Sequence, residues 1–344
     1  MRDIILQEDI EYLADRNDWL ALHNSSVLIT GATGLIGKHL IFLLRYLNEN
    51  KNSNIRIYAH VRNEHKAKEL FGNDGISFVL GDIRQPIEIS DNIDFIIHGA
   101  SVTQSRSFVE KPVETIDIAY IGTKNILEFA RKQKVKSAVY LSSMEVFGVT
   151  DPQLAEVKEN DYGYIDILNP RSSYSESKRL CECLCACYAS EYGVPVKIAR
   201  LVQTVGTGAD YNDLRITVQF SRSAIENKDI ILKTEGLSKR PIVYTRDAVS
   251  AILTILLKGN SGTSYNIANK NTVSTIRETA EMVAKNISNN RIKIIFEKNS
   301  LTEYPPNYNL NLNLNLMESL GWKAEVGLEE AYRRMIESMK LRKE

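Results

Sequence analysis

The sequence predicts an α/β fold: a Rossmann-type, doubly wound parallel sheet with a smaller C-terminal α+β subdomain. Three observations carry this. Short β-branched runs alternate with longer amphipathic stretches through the first two hundred residues. A glycine-rich turn lies at the first strand-to-helix junction, and the alternation loosens after about residue 201.

The elements follow in order. Residues 1–24 hold an amphipathic stretch, Ile10, Leu13, Trp19, Leu20 and Leu22, expected to form an N-terminal helical extension lying on the main fold. Val27–Thr30 is a strand and Leu35–Tyr46 the helix after it; Ile55–Val61 precedes a helix near His65–Phe71, and Ile76–Leu80 is the third strand. Phe95–His98 leads to helix Val113–Lys132, Ala138–Leu141 to helix Tyr174–Tyr192, and Val196–Ala199 closes the regular series. Strand, helix, strand in succession means a parallel sheet, because the crossover helix returns the chain to the same edge. The looser part carries candidate helices Leu214–Asn227, Thr245–Leu257, Thr275–Ile287 and Leu328–Met339 and candidate strands Ile230–Leu232, Tyr265–Ala268 and Ile292–Phe296. Thr275 and Glu278 have capping-box spacing at the start of the third of these helices.

Composition narrows the class. With 344 residues, 43% hydrophobic and 25% charged, the chain is an ordinary globular one. Lysine plus arginine equals aspartate plus glutamate at 43 each, so there is no basic field to recruit nucleic acid or an anionic membrane. The opening MRDIILQEDIEYL carries acids and lacks an apolar core of secretory length, and stretches such as Ala251–Leu257 are too short to span a bilayer. A cytoplasmic protein is expected. The cysteines, Cys181, Cys183, Cys185 and Cys187, lie on two nearly opposite faces of one helix and cannot converge on a metal. They read as small apolar packing residues, and no metal is expected.

The segment Val27–Gly37 runs from a buried strand into Gly31, Gly34 and Gly37, spaced three apart, and then into an apolar helix. This is a dinucleotide cradle. The first glycine permits the turn, the second admits the pyrophosphate, the third lets helix and strand pack, and the helix N-terminus faces the phosphates. Thr33, Leu35 and Ile36 lie between the glycines and are expected to line the cofactor with them. Residues 25–200 are therefore assigned to an NAD(P)-binding domain, and 201–344 to a substrate-binding subdomain interleaved with it. Arg62 ends the second strand where an NAD-selective site would often carry an acid, so the sequence leans to NADP(H) over NAD, with Glu64 still able to reach a ribose. Asp82, followed by Ile83, is placed to accept from the adenine amine or to serve as a turn residue. Ala100 and Ser101 follow the fourth strand, letting the backbone lie on the cofactor while Ser101 and Thr103 project towards substrate.

Tyr174 and Lys178 stand four apart at the start of a helical pattern, on one face. A phenol with a pKa near 10 is a poor base at neutral pH, so a nearby ammonium and an oxidised nicotinamide are needed to lower it. Ser143 and Glu145 follow a strand upstream, where the hydroxyl can hold a substrate oxygen beside the phenol. All five histidines precede that strand, and none competes as base.

Together GATGLIG, GDIR, Ser143, YSESK and the closing LGWK resemble the extended short-chain dehydrogenase/reductases, in their nucleotide-sugar epimerase/dehydratase branch, from about residue 25 to the end. HGASVTQSRSFVEKPVETI with IGTKNILEFA, SSMEVFG and RSSYSESKR look most like UDP-glucuronate decarboxylases. The resemblance implies Tyr174 as base, Lys178 as its tuner and cofactor-ribose contact, Ser143 as hydroxyl partner, Glu145 as substrate-side carboxylate and Arg240 beside the sugar or its diphosphate. It further implies a homodimer joined through the helix that begins at Tyr174.

Departures from the family pattern bear on the reaction. Met144 stands where 4,6-dehydratases carry the first acid of an Asp-Glu pair, which argues against β-elimination. Ala119 and Gln203 replace asparagines at substrate or nucleotide contacts. Decarboxylation, epimerisation and reduction of a 4-keto sugar all share hydride transfer at C4, and all three stay open. A non-catalytic dinucleotide-binding scaffold would have no need of the Ser/Tyr/Lys set.

Overall fold

The computed structural model describes residues 3–297 and 309–343. Helix α1, Ile4–Ala14, is capped by Asp3 and followed by a 3-10 turn, Asn17–Leu22. Strand β1, Ser26–Thr30, is buried along its whole length. Then come α2 (Leu35–Lys51), β2 (Arg56–Val61), α3 (Glu64–Phe71), β3 (Ser77–Leu80) and β4 (Phe95–His98). A short α4, Ser105–Glu110, precedes the long α5, Pro112–Gln133, which Pro112 opens. Strand β5 (Ser137–Ser143), α6 (Ser173–Tyr192) and β6 (Val196–Leu201) complete the regular series.

The second part of the chain is finer-grained. It holds β7 (Gln203–Val205), α7 (Ile216–Glu226), β8 (Ile230–Leu232), β9 (Lys239–Arg240) and β10 (Ile242–Tyr244). Next are α8 (Thr245–Lys258), β11 (Ser264–Ile267), β12 (Ser274–Thr275), α9 (Ile276–Met282) and β13 (Ile294–Phe296). Helices α10 (Asn315–Ser319) and α11 (Leu328–Lys343) end the described chain.

The main sheet has seven parallel strands in the order β11-β6-β5-β4-β1-β2-β3. Strand order reverses at β1 and β4, and the crevice beyond their C-terminal ends is where such a sheet binds its ligand. Helices α2 and α8 cover one face, together with α1, while α5 and α6 cover the other. A third apolar cluster joins α7, α11 and the strands β8 and β10. Residues beyond 201 thus return to the main sheet, through α8 on one face and β11 at its edge.

Several local expectations change. Ile10, Leu13, Trp19 and Leu22 are buried but Leu20 is 66% exposed, because the helix stops at Ala14 and the tighter turn after it rotates Leu20 outward. The capping box at Thr275 and Glu278 forms, with both reciprocal bonds present. The helix it starts is α-helical only to Met282, then widens into a π turn over Val283–Ile287. Cys181 and Cys185 pack in the core, whereas Cys183 and Cys187 are exposed.

Candidate active site

The glycine-rich turn sits at the switch point. Gly31 has φ +68°, and a Cβ there would lie 2.7 Å from Gly99 carbonyl carbon and oxygen and 2.9 Å from Ala100 N, so only glycine lets the ends of β1 and β4 come this close. A Cβ on Gly37 would overlap Gly31 O, which seals helix against turn. Gly34 caps α2 without a side-chain bond, and Leu35 and Ile36 begin the helix. The result fits a dinucleotide diphosphate: a tight backbone turn, with Thr33 in it, under the free N–H groups of a seventeen-residue helix.

The neighbouring strand ends are organised by hydrogen bonds. Ala100 N–H donates to Thr30 Oγ1 (3.2 Å), which is also hydrogen-bonded to His98 Nδ1 (2.7 Å), and His98 Nε2 is hydrogen-bonded to Thr123 Oγ1 (3.2 Å). Burial, with Lys178 nearby, pushes His98 down to about 3, so it is a neutral packed strand residue. Ser101 is half-buried and Thr103 exposed in the loop that follows. Arg62 is exposed at the end of β2, close enough to Asp82 and His60 to act on both electrostatically. Asp82 is held by Arg84, whose Nη2 donates at 2.7 Å and whose backbone N–H donates at 2.9 Å, and these bonds hold its carboxyl at about 2. An adenine amine would share that carboxylate with Arg84. Ile83 is buried against Gly122 of α5.

Tyr174 lies at the start of α6, buried, with its ring stacked on Phe108 of α4 at 4.3 Å and 9°. Ser143, the last residue of β5, hydrogen-bonds the phenol, and its Oγ also accepts from Glu145 N–H (3.2 Å). Glu145 is gripped by Arg171, at 3.1 Å from Nη1 and 3.3 Å from Nη2, and accepts from Ser175 Oγ at 3.1 Å. The Arg171 guanidinium in turn sits 5.1 Å over the Phe108 ring. Burial raises the phenol well above its ordinary value and the Glu145 charge adds to this, opposed by Ser143, Arg171 and Arg215. Lys178 Nζ is buried, donates to Leu141 O (2.7 Å), and lies 4.7 Å over the Tyr140 ring and 5.7 Å from the Tyr174 ring centre. Burial lowers it to about 8.

Just past β6, Arg240 Nη2 donates to Gln203 Oε1 (2.9 Å). The parallel pairing of β7 with β10 brings these two together across 37 residues. Ala119 faces away, buried against Cys181 in the α5–α6 packing. Phe108, Arg171 and Arg215 were not singled out from the sequence. Arg171 adjoins the YSESK run, but no sequence signal pairs it with Glu145, from which Lys136 and Lys158 are nearer along the chain; Phe108 had no signal, since α4 is too short to show a period.

Residues 27–268 match the NAD dependent epimerase/dehydratase family. The chain belongs to that family. It is 28% identical to UDP-glucuronic acid decarboxylase 3 of Arabidopsis thaliana, over 95% of this chain and 92% of the relative. It is 29% identical to a putative UDP-glucose 4-epimerase of Methanocaldococcus jannaschii, over 91% of this chain and 98% of that one. Among solved structures, a UDP-glucose 4-epimerase from Thermotoga maritima with UDP-glucose superposes with a TM-score of 0.78 at 20% identity, covering 93% of this chain and all of that one. An epimerase from Methanothermobacter thermautotrophicus gives 0.79 at 18% identity, covering 95% and 97%. At these identities the structures establish a shared fold.

Proposed function

We propose that this member of the family is a nucleotide-sugar-modifying enzyme acting at the sugar C4 through Tyr174, and that it decarboxylates a UDP-glucuronate-like substrate. The observation that carries the reading is the meeting of Ser143, Glu145, Tyr174 and Lys178 beside the glycine-rich crevice. The decarboxylase relatives along nearly the whole chain support the choice of reaction.

Gly31, Thr33, Gly34, Leu35, Ile36 and Gly37 hold the cofactor diphosphate, Asp82 and Ile83 the adenine, and Ala100 and Ser101 the inner ribose and nicotinamide side, with Tyr174 and Lys178 beside it. The nicotinamide supplies hydride transfer to and from C4 when bound. Tyr174 takes the C4 hydroxyl proton while Ser143 steadies both oxygens. Arg171, Arg215 and the Ser143 hydrogen bond oppose burial and Glu145, which keep the phenol protonated, and Lys178 stands 5.7 Å from its ring centre. Thr103, Gln203 and Arg240 face the substrate. A ketone at C4 makes the C5 carboxylate a β-keto acid: the C5–C6 bond breaks, its electron pair moves into the C4 carbonyl as an enolate, and a proton returns to C5. Glu145, aligned by Arg171 and Ser175, is the carboxylate on that side.

Purified enzyme given UDP-glucuronate should release carbon dioxide without stoichiometric consumption of dinucleotide. Glu145→Ala should abolish release while the nucleotide still binds. Inert UDP-glucuronate, with NADPH oxidised by a 4-keto sugar nucleotide, would replace this reading by a ketoreductase. Arg62 favours that second reading. Arg62→Ala should weaken NADP(H) more than NAD(H), since losing a phosphate-paired guanidinium costs about 1.5–3 kcal/mol. Equal losses in the two titrations would remove Arg62 as a phosphate reader.

A homodimer through α5 and α6 belongs to the same proposal: Val113, Ile116, Leu180, Cys183 and Cys187 are exposed on these helices. No helix among the described residues is long and apolar enough to cross a membrane. A cytoplasmic location suits the free thiols.

A further inference from the structure

A buried chain of hydrogen bonds runs from the N-terminal helix to the dinucleotide helix, through residues not assigned above and ending on Leu35. His39 on α2 meets Leu35 O through Nδ1 (2.7 Å) and Thr207 Oγ1 through Nε2 (3.0 Å). Thr207 Oγ1 lies 2.8 Å from Asp9 Oδ2. Asp9 Oδ2 also accepts from the Tyr244 hydroxyl (2.7 Å), and Oδ1 from Arg334 Nη2 (3.0 Å). Asp9, His39 and Thr207 are all fully enclosed.

Counting protons along the chain constrains it. Leu35 O can only accept, so His39 Nδ1 carries a proton. The His39–Thr207 and Thr207–Asp9 contacts then need one proton each. A neutral imidazole has none left for Nε2, and the threonine hydroxyl supplies one. The missing proton sits either on Nε2, making an imidazolium that faces a carboxylate, or on Asp9. The surroundings favour Asp9. Burial pushes His39 down to about 3, and Lys38 on α2 and Arg342 on α11 push the same way. Burial also raises the Asp9 carboxyl, against Tyr244 on β10, Arg334 on α11, Thr207 and Arg246 on α8. Those two arginines are themselves shared with Glu8 and Glu325.

We infer that Asp9 is a protonated positioning residue for dinucleotide binding: as an acid it donates to Thr207, which donates to His39, and this chain holds the first turn of α2 against the glycine-rich crevice. The inference rests on the dinucleotide lying on that crevice. Leu35, the far end of the chain, is the first residue of α2 and follows Gly34 directly.

The test combines calorimetric titration of NAD(H) and NADP(H) into wild type, D9A, D9N and T207V with ¹⁵N NMR of His39. D9A and T207V should each weaken dinucleotide binding about tenfold, the effect of one buried hydrogen bond. D9N should recover part of what D9A loses, because its amide nitrogen can donate to Thr207 and its oxygen accept from Arg334, although that nitrogen cannot accept from Tyr244 as the acid's Oδ2 does. Wild-type His39 should remain a neutral Nδ1–H tautomer across about pH 5.5 to 8. Folded D9A and T207V proteins that bind like wild type would overturn the positioning role. An imidazolium at His39, with D9N as damaging as D9A, would overturn protonation of Asp9, and an Nε2–H tautomer would overturn the chain itself. If D9A does not fold, T207V and D9N give the answer. Wild type that binds no dinucleotide would instead sink the cofactor assignment, and the His39 tautomer would still decide where the proton lies.

Discussion

Tyr174→Phe should lower turnover by about 10²–10⁴-fold, the contribution of positioned acid–base help, while dinucleotide affinity stays near wild type. The substitution removes one oxygen and keeps the ring, so the stack on Phe108 survives and packing is not the variable. What disappears is the atom that Ser143 contacts and that would accept the C4 proton. Steady-state rates with binding measured alongside decide it; activity within tenfold of wild type would remove Tyr174 from the reaction.

The largest effect on stability is expected from Glu182→Ala. Arg200 is completely buried, and its Nε and Nη2 bind both oxygens of Glu182 at 2.6–3.1 Å. Its guanidinium also lies 5.0 Å over Phe147 and 5.1 Å over Tyr162, and Ser142 donates to the same carboxylate at 2.5 Å. Removing Glu182 strands a cation with no water to take it, at about 3–5 kcal/mol. Arg200→Met combined with Glu182→Leu should recover most of this, since paying to desolvate two charges often gains little over an apolar pair. Chemical denaturation of the single and double variants is the measurement; a loss under about 1 kcal/mol would show that the pair is not what anchors α6 to β6.

The frame of the molecule was legible because its signals are local and redundant. Val27–Thr30 is apolar on both faces, Gly31, Gly34 and Gly37 each answer a separate steric need, and the helix at Leu35 follows at once. The Tyr174/Lys178 pair was readable for the same reason, since spacing on one helix is a property of sequence. Contacts made by distant residues were not. Nothing in the order of residues says that Phe108 lies under Tyr174, that Gln203 meets Arg240, or that Asp9 reaches Thr207 across 198 positions. Short strands such as Lys239–Arg240 and Ser274–Thr275 carry too few residues for any period, and their antiparallel pairing is set by the loops around them. Lys178 illustrates a subtler limit: its spacing from Tyr174 was visible, but not that its ammonium would donate to Leu141 O and rest over Tyr140.

The return of the chain to the main sheet at β11 has a mechanical meaning. Residues 202–241 leave from the end of β6 and come back through β10 into α8, and β11 then pairs with β6 itself. The segment bearing Gln203 and Arg240 is thus anchored at both ends to neighbouring parts of one rigid frame. A segment anchored twice cannot swing open as a flap on a single hinge would, so any motion that admits a sugar nucleotide must be a small sliding or local loosening within it. Nor is it an independent insert, since α7 packs on α11 while β8 and β9 pair with β13 and β12 outside it. New specificities are therefore expected from changes in the turns between those fixed contacts, which leave Tyr174, Lys178 and the glycine-rich turn in register.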